Sequence, residues 1–182
     1  MKVPVVTHHL EMSEPEALQP GRPAAAGFEI RRARVPCPEL NRFLYTAVGG
    51  GWYWVDRLAW TYDQWMRWLD RPEVETWVAY ADDTPAGYFE LEAQPGGHVE
   101  IVYIGLIPRF VGRGFGGALL AAAARRGWDM GARRVWVHTC SLDHPGALAN
   151  YLARGFRIFK EERAEVELPD RTPGPWPGAA AG

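Results

Sequence analysis

Four glycines fall within six residues, at Gly112, Gly114, Gly116 and Gly117. Ahead of them His98 to Ile107, rich in Ile, Val and Tyr, reads as a strand. Behind them Phe115 to Met130 carries a long Ala-Leu face and reads as a helix ended by Gly131. A strand that turns through glycines into a helix start suits the binding of a diphosphate. The first amides of a helix have no partner within it, and the helix dipole adds partial positive charge there. Glycine lets that backbone approach a phosphate closely. Gly112, Gly114 and Gly117 also satisfy the G-x-G-x-x-G pattern of dinucleotide folds, which is weak alone. Pro108-Arg109-Phe110-Val111 separates the first glycine from its strand, the unit lies late in the chain, and no acid ends a strand about 20 residues on. A plain tight corner between strand and helix accounts for one or two glycines, not for four.

Other residue types invite chemical readings. Tyr151 lies in Ala147-Leu148-Ala149-Asn150-Tyr151-Leu152-Ala153-Arg154-Gly155-Phe156, where periodicity alone packs it with Leu148 and Leu152 on an apolar face. Glu100 sits on the strand before the glycines. Alternation puts 99, 101 and 103 on one face and 100, 102 and 104 on the other, both partly apolar, and does not decide which way Glu100 points. Trp52, Tyr53, Trp54, Trp60, Tyr62, Trp65 and Trp68 crowd one stretch. Trp65, Trp68 and Leu69 have helical spacing and read as core; Trp52 and Trp54, after Gly49-Gly50-Gly51, read as pocket or lid residues. Aromatic faces suit an amine with an apolar or ring body and attract cations. Asp56 can pair with a substrate ammonium or with Arg57 beside it. His8-His9 and His138-Thr139-Cys140 have no second ligand pair at metal spacing, and Cys140 lacks an identifiable base and orienter, so no metal and no thiol nucleophile are expected.

The elements that must position these residues can be placed coarsely. Strands are expected at 28–35, 75–81, 87–93, 98–107, 134–140 and 156–167, with a turn at Asp82-Asp83-Thr84-Pro85. Helices are expected at 38–48, from Thr61 to Asp70 with Gln64 completing a capping box, at 115–130, and from Pro145 to Arg154 with Ser141 or Asp143 capping. The order predicts a mixed α/β layer rather than a doubly wound one. Residues 1–26 read as an N-terminal extension with an edge strand near Val3–Thr7, 27–168 as the domain, and 169–182 as a Pro/Gly-rich tail. The 182 residues, 47% hydrophobic and 23% charged, suit one globular domain. A net charge of −2 leaves no electrostatic footprint for nucleic acid. No apolar run approaches the roughly 20 residues that span a bilayer. With two cysteines and no signal-peptide pattern, the expected location is cytoplasmic.

The glycine segment resembles the Q/R-x-x-G-x-G/A loop of the GNAT superfamily of N-acetyltransferases, in which the fourth strand leads into a helix that binds the coenzyme A pyrophosphate. Val111 to Gly116 lies on that motif with Gly114 and Gly116 at its glycine positions; Val111 departs from the usual Gln or Arg and forgoes one side-chain contact. The resemblance covers about residues 28–168. It implies a GNAT acyl-CoA N-acyltransferase fold, a central, mostly antiparallel α/β sheet splayed at the fourth strand and flanked by helices. It also implies acetyl-CoA as co-substrate.

Such a reaction makes three demands. The amine must lose its proton, since an alkylammonium with a pKa near 10.4 has no lone pair. Charge developing on the carbonyl oxygen needs fixed donors. The departing thiolate needs a proton. The A-x-x-x-Y-x-x-x-GF helix of the family is matched at Ala147 to Phe156 and implies Tyr151 as general acid and Asn150 as a coenzyme contact. Val99 to Tyr103 is similar to the strand of histone-type members and implies Glu100 as base, with Glu90, Glu92 and His138 in reserve. The resemblance further implies that backbone groups of Ile104 and Leu106 bind the pantetheine arm and that Gly112, Arg113, Gly114, Phe115, Gly116 and Gly117 form the pyrophosphate cradle. It places the first two helices, with Trp52, Trp54 and Asp56, on the acceptor side. The function expected is acetyl transfer to a primary amine of a small molecule. The alternatives are a protein lysine or N-terminal acetyltransferase and a non-catalytic acyl-CoA-binding module; a homodimer stays open.

Overall fold

The computed structural model describes residues 1–176 of the chain. Seven strands form one sheet in the order β2-β3-β4-β5-β6-β1-β7. They are β1 (Lys2–Met12), β2 (Phe28–Ala33), β3 (Val74–Ala81), β4 (Thr84–Gln94), β5 (His98–Leu106), β6 (Arg134–Cys140) and β7 (Arg157–Glu167). The helices are α1 (Pro38–Gly49), α2 (Tyr62–Leu69), α3 (Phe115–Asp129) and α4 (Ala147–Ala153). Every neighbouring pair is antiparallel except β5 and β6, which α3 connects as a parallel crossover. The mixed, mostly antiparallel sheet is the fold class expected. Among the described residues no helix is long and apolar enough to cross a membrane.

Local signals account for several boundaries. The Thr61 hydroxyl accepts from the Gln64 N–H at 3.3 Å and the Gln64 side chain accepts from the Thr61 N–H at 2.7 Å, closing a capping box at the start of α2. Between β3 and β4 the turn is tighter than the four residues expected. Asp82 and Asp83 hold φ of +48° and +61°, the two left-handed positions of a two-residue hairpin, and Thr84 already pairs with Ala81. Helix α4 starts two residues after Pro145, because the Asp143 carboxylate is spent on the Thr139 hydroxyl (2.7 Å) and the Cys140 N–H (2.9 Å) at the end of β6, not on helix amides.

The N-terminal strand corrects the expected division at residue 26. β1 is not an edge strand: it lies between β6 and β7, pairing with both. Its Leu10 and Met12 are fully buried in the main core beside Val135, Val137 and Leu119. Burying one such side chain contributes roughly 1.5–3 kcal/mol, too much for an appendage. Pro4 is tolerated because residues 2–6 pair with β7 alone. The following connector is also docked, with Gln19 N–H on the Arg154 carbonyl at 3.0 Å and Ala17 and Leu18 against the core. At the other end the Gly174 N–H meets the Gly50 carbonyl at 2.9 Å. Residues 177–182 of the expected tail lie outside the described residues.

Helix α3 covers one face of the sheet with Leu119, Leu120, Ala123 and Ala124, while α1 and α2 cover the other through Leu44, Val48, Tyr45 and Trp65. The assignment of β5 side chains to these faces depends on a bulge. Leu91 pairs with Ile101 and Glu90 with Tyr103, so Val102 is an extra residue. Simple alternation therefore fails. Val99 and Ile101 share the α3 face with Ile104 and Leu106, whereas Tyr103 joins the α1–α2 face.

Candidate active site

β5 and β6 pair only from His98 to Ile101 against Arg134 to Val137, then part. Beyond that point β5 has β4 on one side and no strand on the other. The Ile107 N–H donates to the Ala86 carbonyl at 2.8 Å, toward β4. Alternation along the strand then turns the amides of Ile104 and Leu106 to the open edge. Gly87 permits the close approach at this point, since a Cβ there would lie 2.3 Å from the Gly105 carbonyl oxygen. The gap between the strands widens into a cavity of about 590 Å³, within the range of small-molecule sites.

The glycine turn forms one end of that cavity. Gly112 and Gly114 hold φ of +81° and +83°, and Gly114 stands just before α3 with no side-chain cap. A Cβ at either position would meet nothing within 4 Å. Among the described residues, no backbone amide from Gly112 to Gly117 donates to a protein acceptor. Gly112, Gly114, Gly116 and Gly117 line the cavity together with Val111. The Phe115 side chain is instead buried and stacks on Phe28 with centroids 4.5 Å apart, anchoring the helix start. The Arg113 guanidinium lies over the rings of Phe110 and Phe115, at 5.6 and 5.2 Å. Neither side chain is on the cavity wall.

α4 brings Asn150 and Tyr151 to the same cavity. The Asn150 side chain donates to the Gly116 carbonyl at 3.2 Å and so stitches α4 to the first turn of α3. The Tyr151 ring is buried, edge-on to Phe156. Burial raises its phenol above the ordinary value, with the charge of Asp143 adding to the effect. The group keeps its proton across neutral pH.

Glu100 behaves differently from the expectation. It is 9% exposed and is not on the cavity wall; its carboxylate accepts from the Gln94 amide at 2.8 Å and lies 3.4 Å from His138 Nδ1. His138 is the group that lines the cavity there. The hydrogen bond with Glu100 raises the imidazole pKa above its ordinary value, burial opposing and Asp143 and Asp56 assisting. Sequence reasoning held His138 in reserve only, because its pairing with Glu100 depends on which strands are neighbours. The other reserves are tied up: Glu92 pairs with Arg71 at 2.8 Å, and Glu90 is buried under Arg57.

The aromatic stretch divides in two. Trp60, Trp65, Trp68 and Tyr103 surround the Arg57 guanidinium at 4.6, 5.6, 4.5 and 4.6 Å. That guanidinium pairs with Glu90 at 2.9 Å, and Trp68 Nε1 donates to the same carboxylate at 2.8 Å. The cage locks the loop between α1 and α2. It also takes Arg57 away from Asp56, which makes no ion pair among the described residues and lines the cavity. Trp52, Tyr53 and Trp54 form the wall beside it. Tyr53 holds φ +58°, a left-handed conformation that costs such a residue about 1–2 kcal/mol. Tyr103, Asp143 and His144 also line the cavity; in the sequence Asp143 reads only as a helix-cap candidate, and nothing marks the other two as site residues.

Residues 35–156 match the family model described as the acetyltransferase (GNAT) family. No curated protein matches the chain. Among solved structures, a GCN5-related N-acetyltransferase from Kribbella flavida is similar, with a TM-score of 0.65 and 19% identity, covering 92% of this chain and 60% of that one. A GCN5-related N-acetyltransferase from Sphaerobacter thermophilus has a TM-score of 0.65 and 18% identity, covering 90% of this chain and 53% of that one. An aminoglycoside acetyltransferase from an uncultured soil metagenomic sample, in complex with trehalose, has a TM-score of 0.58 and 15% identity, covering 70% and 87%. The chain spans 60% and 53% of the first two structures' own length, and at such identities the likeness is one of fold.

Proposed function

Because the chain belongs to the GNAT acetyltransferase family, we propose that it moves an acetyl group from acetyl-CoA to the primary amine of a small molecule by direct attack. One observation carries this reading: the unpaired amides of Gly112 to Gly117 and the buried Tyr151 open on the same cavity. The residues present fit the coenzyme, since the turn offers donors without an acceptor and no side chain fills the space before Gly112 and Gly114. When bound, acetyl-CoA supplies an acetyl group already activated as a thioester.

The chain's own residues then have separate tasks. Amides from Gly112 to Gly117, with the α3 dipole behind them, hold the paired phosphates. The open edge of β5 at Ile104 and Leu106 takes the pantetheine arm much as a sheet takes an added strand. The Leu106 N–H is the donor assigned to the acetyl oxygen. Tyr151 Oη holds a proton for the departing sulfur. Asn150 keeps α4 in register with the cradle. Removal of the acceptor's proton requires a base on the acceptor side of the cavity; Glu100, expected in that role, lies off the cavity wall.

For the acceptor, Trp52 and Trp54 offer flat apolar walls and Asp56 an uncommitted carboxylate, which favours a small amine with a ring or apolar body and positive charge. Thiol release from acetyl-CoA across a panel of aromatic amines, polyamines, aminoglycosides and lysine peptides tests this. Release with small amines is the expected result; release with peptides alone would make the acceptor a protein. Coenzyme binding without release under any acceptor would leave a binding module.

A further inference from the structure

The strands that cradle the acceptor side place one imidazole at the point where they part. Ile101 and Val137 are the last paired residues of β5 and β6, and His138 is the next residue of β6. Its ring lines the cavity, and its side chain is 47% exposed. Glu100 lies behind it, with one oxygen on the Gln94 amide and the other 3.4 Å from His138 Nδ1. Gln94 is held in turn by the Trp136 indole N–H at 3.0 Å, so the carboxylate is oriented from two sides. A carboxylate on Nδ1 fixes the tautomer with the proton on that nitrogen and leaves Nε2 as the acceptor. The charged and titratable groups around the ring are Glu100 on β5, His9 on β1 with its centroid 5.9 Å away, Asp143 in the turn before α4, and Asp56 in the loop after α1. His9 is itself bonded to Glu162 at 2.8 Å.

We propose that His138 Nε2, rather than Glu100, takes the proton from the acceptor ammonium, and that Glu100 is a positioning residue that holds the imidazole. The inference rests on the acetyl-transfer reading above. In the step the ammonium N–H bond breaks, its electron pair stays on nitrogen, and a bond forms between the proton and Nε2, while Nδ1–H remains on Glu100. Across the whole reaction the ammonium loses two protons. One leaves through His138 to solvent, and the other balances the proton given to sulfur. The raised pKa of His138 suits this task, since a base is most effective when its pKa lies near the working pH.

Two measurements test the dyad, one of which needs no turnover. Proton NMR titration of the His138 ring should give a pKa above the ordinary value of about 6.5, falling in Glu100→Gln; an identical titration in that variant overturns the pairing whether or not the protein turns over. In kinetics, kcat/KM for an alkylamine should rise through that same pKa, and the limb should move to lower pH in Glu100→Gln. His138→Gln should lose roughly 10²–10⁴-fold with the alkylamine and far less with an arylamine, whose nitrogen is already neutral. Equal losses with both acceptors, or none with either, would overturn the role. Wild-type protein that releases no thiol with any amine, yet shows the expected NMR titration, would instead sink the acetyl-transfer reading and with it this step.

Discussion

The Trp54 indole N–H reaches the Asp143 carboxylate at 3.4 Å, 89 residues away in the chain, and joins the two walls of the cavity. Trp52 repeats the bridge, standing edge-on to His144 with centroids 5.2 Å apart. The loop after α1 and the turn before α4 are thus held across the space between them. Trp54 reaches this position by lying on Gly49, where a Cβ would come 2.1 Å from its ring, and packs against Tyr103 and Tyr45 at 4.8 and 5.5 Å.

Gly49→Ala should therefore displace the Trp54 ring and raise the acceptor KM while leaving the KM for acetyl-CoA nearly unchanged. Trp54→Phe keeps a ring against Tyr103 and removes the indole N–H bonded to Asp143 together with part of the ring's contact area. A hydrogen bond contributes about 0.5–1.5 kcal/mol, so its effect should stay within roughly tenfold. Steady-state kinetics with each substrate varied separately checks both variants.

Tyr151→Phe should lower kcat by about 10²–10⁴-fold, the range of a general acid. The ring remains in its buried contact with Phe156, so coenzyme binding measured by calorimetry should persist. Unchanged thiol release would remove the acid role.

Gly114→Ala places a side chain on a backbone at φ +83°, costing about 1–2 kcal/mol, and points a methyl group into the open space before the turn. Melting temperature should fall modestly, whereas the KM for acetyl-CoA should rise well beyond what that loss explains. An unaltered coenzyme KM would show that the turn is only a corner.

Arg57→Met leaves the Glu90 carboxylate buried without its partner. Breaking one side of such a pair costs about 3–5 kcal/mol, or roughly 6–20 °C in melting temperature for a domain of this size. Arg57→Met together with Glu90→Leu removes both charges and should recover much of the loss. Thermal denaturation of the single and double variants decides it.

Glu75 makes stability fall in acid. Burial works to raise its carboxyl, but the paired Arg126 guanidinium, at 2.8 and 2.7 Å, with Trp77 and Arg32, holds the pKa below the ordinary value. A carboxyl depressed on folding adds stability that is present above the unfolded pKa, about 4.3, and lost as pH falls through the folded one. Arg126→Gln should flatten this dependence between pH 7 and 3, measured as melting temperature against pH.

What the sequence by itself determined is short-range. The glycine turn and the helix after it, the Thr61–Gln64 box and the two aspartates of the β3–β4 turn all follow from backbone preferences and partners within a few residues. So does the helix that carries Tyr151, while the acid role proposed for that residue follows from the family resemblance. Only the tertiary structure decided the rest. β1 enters between β6 and β7 because Leu10 and Met12 find their apolar neighbours on distant strands. Val102 becomes a bulge because β4 has one residue fewer to oppose it, and no pattern within β5 records that count. Glu100 stands behind His138, and Arg57 turns to Glu90 instead of the adjacent Asp56, because ion pairs form between side chains that strand order and loop packing bring together. A charge's partner is set by distance in space, and sequence spacing carries that distance only within one helix or one turn.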